Sequence, residues 1–143
     1  MTQQKPEDFV SEYKDIDFGE LKLYRVEGAN ITPPTPSTNV ISTALYRGYI
    51  AKYKLTKDGT LILLSYSYPT RRKEYKTDIV NEIVHGDFSL EFRESFFGTK
   101  TIVPFHNGKI VIDKSQWRII EKSGLNPVEM ILNKSEKKKQ LNK

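Results

Sequence analysis

Two long runs rich in β-branched and aromatic residues, Ile41–Thr56 and Leu61–Tyr68, flank Lys57-Asp58-Gly59. Such residues suit a pleated, half-buried surface, and Asp-Gly supplies the positive φ angles of tight hairpin turns. The whole stretch therefore reads as a β-hairpin. Side chains alternate across a strand. Leu45, Tyr49, Ala51, Tyr53 and Leu55 fall on one face, and Lys52, Lys54 and Thr56 on the other. Arg47 breaks the pattern by falling on the apolar face. Gly48 follows it, and a glycine inside a strand often marks a bulge. A register slip is expected there, turning Arg47 outward or into a cleft. In the return strand the even positions Ile62, Leu64, Tyr66 and Tyr68 are apolar or aromatic, while Leu61 and Leu63 give way to Ser65 and Ser67. A strand apolar on both sides near its turn reads as central in its sheet.

The rest of the chain supplies more strands than helices. Pro6–Lys14 reads as a short helix, with proline in the first turn and Phe9, Val10 and Tyr13 on one side. Phe18–Val26 reads as a strand with Leu21 and Leu23 inward and Lys22 outward. Residues 27–40 contain three prolines and read as an extended surface loop. Residues 69–76 form a basic connector. In Asp78–Gly86, Ile79, Val80, Ile83 and Val84 stand at helical spacing, between a capping Thr77 or Asp78 and a terminating Gly86, which predicts a short helix. Asp87–Phe96 alternates clearly, with Phe88, Leu90, Phe92 and Phe96 on one face. Lys100–His106 is a strand that Pro104 assigns to a sheet edge. Asn107-Gly108 is a type I′ turn signal, Lys109–Asp113 returns from it, and Trp117–Ile120 is a last short strand. Asn126–Asn133 reads as a closing helix, capped by Asn126 with Pro127 in its first turn.

Together these give an α+β fold that is mainly β. The expected form is an antiparallel meander or partly closed barrel of 6–8 strands with short N- and C-terminal helices. One domain over residues 1–133 is expected, followed by a Lys-rich tail over 134–143. The net charge of +5 is partly borne by that tail, so charge alone is a weak argument for nucleic acid. The absence of cysteine excludes disulfides and thiolate chemistry. With no apolar leader and no apolar run long enough to span a bilayer, a soluble, cytoplasmic protein is expected.

Residues able to do chemistry are few. There are two histidines, His85 and His106, and no metal, nucleotide or nucleophile motif. No metal or cofactor is expected. Helix-end and turn positions explain both histidines structurally. A metal-independent nuclease would need His85 or His106 to meet Arg93 and Glu91 or Glu94.

Aromatic and basic residues are more suggestive. Tyr46, Arg47, Lys52, Tyr53 and Lys54 interleave rings with cations, and Arg71, Arg72 and Lys73 follow. Such a mixture can stack bases and track phosphates. Tyr and Arg are also enriched at protein–protein hot spots, so the same surface, with Arg93, serves a protein partner equally well.

Tyr46-Arg47-Gly48-Tyr49-Ile50-Ala51-Lys52-Tyr53-Lys54-Leu55 resembles an RGYIATWEI-like motif of a group of small bacterial β-rich proteins. Phe92–Gly98 followed by Ile102 is similar to a second stretch of that group, an aromatic pair and glycine before a strand. Lys52-Tyr53-Lys54 departs from the group's Thr-Trp-Glu, and the C-terminal third does not match. The group has no assigned activity; the resemblance implies strand and turn chemistry and, as a class, an immunity or accessory partner of another protein. The expectation is a non-catalytic, protein-interacting module. Binding of single-stranded nucleic acid is the first alternative, and a metal-independent nuclease the second.

Overall fold

The computed structural model describes residues 4–32, 48–69 and 74–121. Within them, nine strands form two open sheets packed face to face. The first holds β1 (Asp8–Ser11), β3 (Ile50–Leu55), β4 (Leu61–Pro69) and β5 (Tyr75–Ile83), in the order β1-β3-β4-β5. The second holds β2 (Lys22–Glu27), β6 (Phe88–Arg93), β7 (Lys100–His106) and β8 (Lys109–Ile110) in that order, with β9 (Arg118–Ile120) also on β7. The mainly β expectation holds, but neither sheet closes into a barrel. Among the described residues the helical content is one 3₁₀ turn, Lys114–Gln116. None of these residues forms a helix long and apolar enough to cross a membrane. The expected closing helix and the Lys-rich tail lie outside the described residues.

Three segments depart from expectation. Residues 6–14 form no helix. Asp8–Ser11 instead runs parallel to β3, pairing Phe9 with Tyr53, so the fold is not a pure antiparallel meander. Glu7, just before it, ties the sheets together: its N–H donates to Leu23 O at 2.7 Å and its Oε1 accepts from Ala51 N at 3.2 Å. Residues 78–86 form no helix either, since β5 covers most of them and pairs with β4. Asn81, at φ 54°, accompanies a register shift in this pair. Ile79 and Ile83 both face outward; four apart, they share a face in an alternating strand and on a helix alike.

Pro104 lies in a central strand, not an edge one. β8 pairs with Phe105 and His106, and β9 with Lys100–Ile102, so Pro104 falls in the gap between these two neighbours. The missing N–H is tolerated there, and Pro104 O still accepts from Val111 N at 3.0 Å.

The hairpin forms as expected, with two refinements. Its turn takes a positive φ only at Gly59, where φ is 85°. Gly59 N donates to Thr56 O and Thr56 N to Thr60 O, the pattern of a three-residue loop with a bulged glycine. A register slip falls at Leu64, where Lys52 pairs with Ser65 but Tyr53 pairs with Leu63; the one expected at Gly48 adjoins Arg47, which lies outside the described residues. The extra residue puts Leu61 and Leu63 on the same side as Tyr66 and Tyr68, and all four are buried. They meet Leu23, Leu90, Phe92, Val103 and Phe105 of the second sheet in one core. Phe9 and Phe18 pack on Phe92 with ring centroids 5.1 and 4.9 Å away, tying β1 to β6.

The hairpin turn also clips onto β8. Gly59 O accepts from Ile110 N at 2.9 Å, and Lys109 Nζ donates to Asp58 Oδ2 and Thr60 Oγ1, both at 2.9 Å. A Cβ at Gly59 would stand 3.0 Å from Ile110 Cγ2. Gly59→Ala is therefore expected to cost about 2 kcal/mol, from positive φ and this contact, in urea unfolding. Hydrogen bonds from Thr56 and Lys109 hold the Asp58 carboxyl below its ordinary range. Since the folded pKa is the lower one, this stabilisation is present above the unfolded value of about 3.9 and lost as pH falls from there through the folded one. Asp58→Asn should flatten the fall in Tm between about pH 5 and pH 2; an unchanged acid limb would exclude this role.

Candidate functional site

Of the residues singled out for binding, Tyr46, Arg47, Arg71, Arg72 and Lys73 lie outside the described residues. Tyr53 and Arg93 are described, and neither is a free surface group.

Tyr53 is 3% exposed and points into the core opposite Leu63. Tyr66 and Tyr68 are buried beside it. Tyr49 is half-buried, its ring edge-on to Tyr66 at 5.2 Å. Bases stack on exposed aromatic faces. Three tyrosines of the hairpin therefore contribute interior area rather than a stacking platform.

Arg93 ends β6 on the outer face of the second sheet. Its Nε and Nη2 donate to Glu91 Oε2 at 3.1 and 2.7 Å, and Nη1 donates to Phe96 O. The guanidinium lies over the rings of Tyr24 and Phe96, 5.1 and 5.2 Å from their centroids. The side chains of Arg93 and Glu91 are only 13% and 11% exposed. A cation so fully engaged holds the 94–98 turn against β6. Arg93→Ala should cost about 2 kcal/mol by unfolding, because it removes the close partner of partly buried Glu91 and leaves it only Lys100 Nζ at 3.8 Å. Loss of binding with unchanged stability would instead return Arg93 to the surface set.

The imidazole, acid and cation of the nuclease reading do not meet. His106 Nδ1 sits 3.0 Å from Asp87 Oδ1, beyond the Phe88 end of β6. Asp87 Oδ1 also accepts from Asn107 N at 2.9 Å. That backbone donor and then His106 lower the Asp87 pKa. Asn107 and Gly108 have φ of 50° and 77°, the type I′ geometry expected of this turn. His85 lies alongside, since Gly108 N donates to Gly86 O at 2.8 Å. Arg93 is at the opposite end of β6, five residues from Phe88 and about 17 Å along a strand. Asp87 and His106 are spent on a solvent-exposed turn, where an ion pair contributes little. Among the described residues no cluster of three or more His, Asp or Glu is placed to hold a metal ion.

A different surface emerges on the outer face of the first sheet. The register aligns Val10, Lys54, Ile62 and Ile83 in one row, and Asp8, Lys52, Ser65 and Ile79 in the next. Partners in a row point to the same face. Ile79 is 71% exposed and Ile83 is 50% exposed, with Val10 at the far side and Ile62 between. Cations border them: Lys52 is exposed, and Lys54 pairs with Glu12 at 2.8 Å. Sequence reasoning missed this face because it assigned Ile79 and Ile83 to the buried side of a helix.

β5 is also the outermost strand, but it is poorly suited to receive another. Lys76, Asp78 and Glu82 pair with Tyr68, Tyr66 and Leu63, which places charged side chains on the inward face. The ladder is interrupted near Asn81. Both features discourage edge-to-edge pairing. The face, rather than the edge, is what β5 offers. Comparison of the chain with protein-family models, with curated proteins and with solved structures finds no match in any of the three.

Proposed function

We propose that this chain is a non-catalytic binding module whose partner is another protein, docked on the outer face of the first sheet. The observation that carries this reading is the exposure of Ile79 and Ile83 beside Ile62 on a sheet face. The solvent face of an antiparallel sheet is ordinarily polar, and exposed apolar patches mark interaction sites. Exposed Lys52 at the border suits a partner whose apolar patch is edged by a carboxylate. Such complementarity raises the association rate and is weakened by salt.

The test uses tagged full-length chain as bait in lysate of its source, with and without nuclease. One protein retained near one-to-one in both samples, and released by Ile79→Asp/Ile83→Asp, is expected. That variant should leave stability within about 0.5 kcal/mol, as exposed substitutions do, while binding weakens by at least about 2 kcal/mol. Nuclease-sensitive capture, or undiminished capture by the variant, would overturn the proposal.

A further inference from the structure

A cleft of about 490 Å³ lies between residues 30–32 and the β4–β5 pair. It falls within the range of roughly 300–1,000 Å³ usual for small-molecule sites. Leu63, Tyr66 and Val84 are its buried lining residues, and Ile31 and Val80 are half-buried. Glu82 and His85 are exposed at its rim. An apolar floor with a few polar groups is the composition of a ligand pocket.

Tyr66 is the unusual member. It is 5% exposed, and its hydroxyl has no hydrogen-bond partner among the described residues. Buried side-chain hydroxyls are normally satisfied, and one that is not asks for an explanation. A neighbouring strand does not supply one: Tyr68, two residues on, donates to Asp78 Oδ2 at 3.1 Å, whereas Tyr66 pairs with the same strand and makes no such bond.

The surrounding charge selects among ligands. Burial, and then neighbouring groups that include the Glu7 and Glu82 carboxylates, push the Tyr66 pKa up to about 12. The phenol therefore stays neutral in a negative potential. An anionic ligand is repelled there and a cation is attracted.

We propose that this cleft binds a small primary amine as its ammonium. The ammonium donates to Tyr66 Oη and to the Glu82 carboxylate, and the apolar body lies on Leu63, Val80 and Val84. This site lies mainly on the inward side of the first sheet, and Ile83 at its rim also belongs to the protein-docking face.

The experiment titrates the full chain at pH 8 with 2-phenylethylamine and n-hexylamine. 2-Phenylethanol and 3-phenylpropionate serve as neutral and anionic counterparts. Amide resonances are followed by two-dimensional NMR, and Tm is measured in parallel. Saturable shifts at Leu63, Tyr66, Val80 and Val84 are expected with either amine. The alcohol should bind about tenfold more weakly, the share of one charge-assisted hydrogen bond, and the acid should not bind. Glu82→Gln should weaken amine binding about tenfold and leave the alcohol unchanged. Tyr66→Phe should also weaken the amine, yet raise the Tm of the unliganded protein, because it removes an unsatisfied hydroxyl. No saturable shift with either amine, equal binding of all three ligand classes, or a fall in Tm on Tyr66→Phe would overturn the proposal. The last result would mean that the hydroxyl already serves the fold, through an ordered water.

Discussion

One extra residue in β4 determines which side chains become core. Strict alternation would place Leu61 and Leu63 on the face of Ser65 and Ser67, and Tyr66 and Tyr68 on the opposite one. The bulge at Leu64 changes the phase midway, so both leucines and both tyrosines face the second sheet. Burial of each such side chain contributes roughly 1.5–3 kcal/mol relative to exposure. β5 accommodates the bulge by a register shift near Asn81 while keeping its own alternation, with Asp78 and Glu82 inward and Ile79 and Ile83 outward. The second sheet meets this face with Leu90, Phe92, Val103 and Phe105, and the turn at Gly59 fastens the far end of the hairpin to β8.

The same phase change decides what the surface can do. It takes Tyr53, Tyr66 and Tyr68 away from solvent. Arg93 is taken by Glu91, Phe96 and Tyr24. What the first sheet presents outward is isoleucine and lysine, the elements of an apolar patch with a cationic border. What it presents inward at the β5 edge is Tyr66 beneath Glu82, a phenol and a carboxylate in one cleft. Two surfaces of different character thus lie on opposite sides of one strand pair.

Much of the fold is legible in local patterns. β6 announces itself through Phe88, Leu90 and Phe92, and the β7–β8 turn through Asn107-Gly108, because both signals are local. β1 is not legible: the four residues Asp8–Ser11 are too few to carry a periodicity of their own, and their parallel pairing with β3 is non-local. β5 is misread for a sharper reason, since residues four apart share a face in a strand as well as on a helix, and Ile79 and Ile83 satisfy both patterns. Pro104 gives a true rule the wrong consequence: the missing donor is accommodated by a gap between two short neighbours, not by a sheet edge. The candidate site fares worst, because tyrosine beside lysine is written alike whether the ring faces in or out. Only the register of Lys52 against Ser65 and Tyr53 against Leu63 separates the two.

That separation can be measured directly. Fluorotyrosine incorporated throughout the chain, observed by ¹⁹F NMR with a soluble paramagnetic agent, reports which rings meet solvent. Narrow, protected resonances are expected for Tyr53, Tyr66 and Tyr68, and a broadened one for Tyr75, which is half exposed. Broadening of Tyr53 and Tyr66 to the level of Tyr75 would contradict the bulge-sorted core, and with it the assignment of the isoleucine face as the surface that binds.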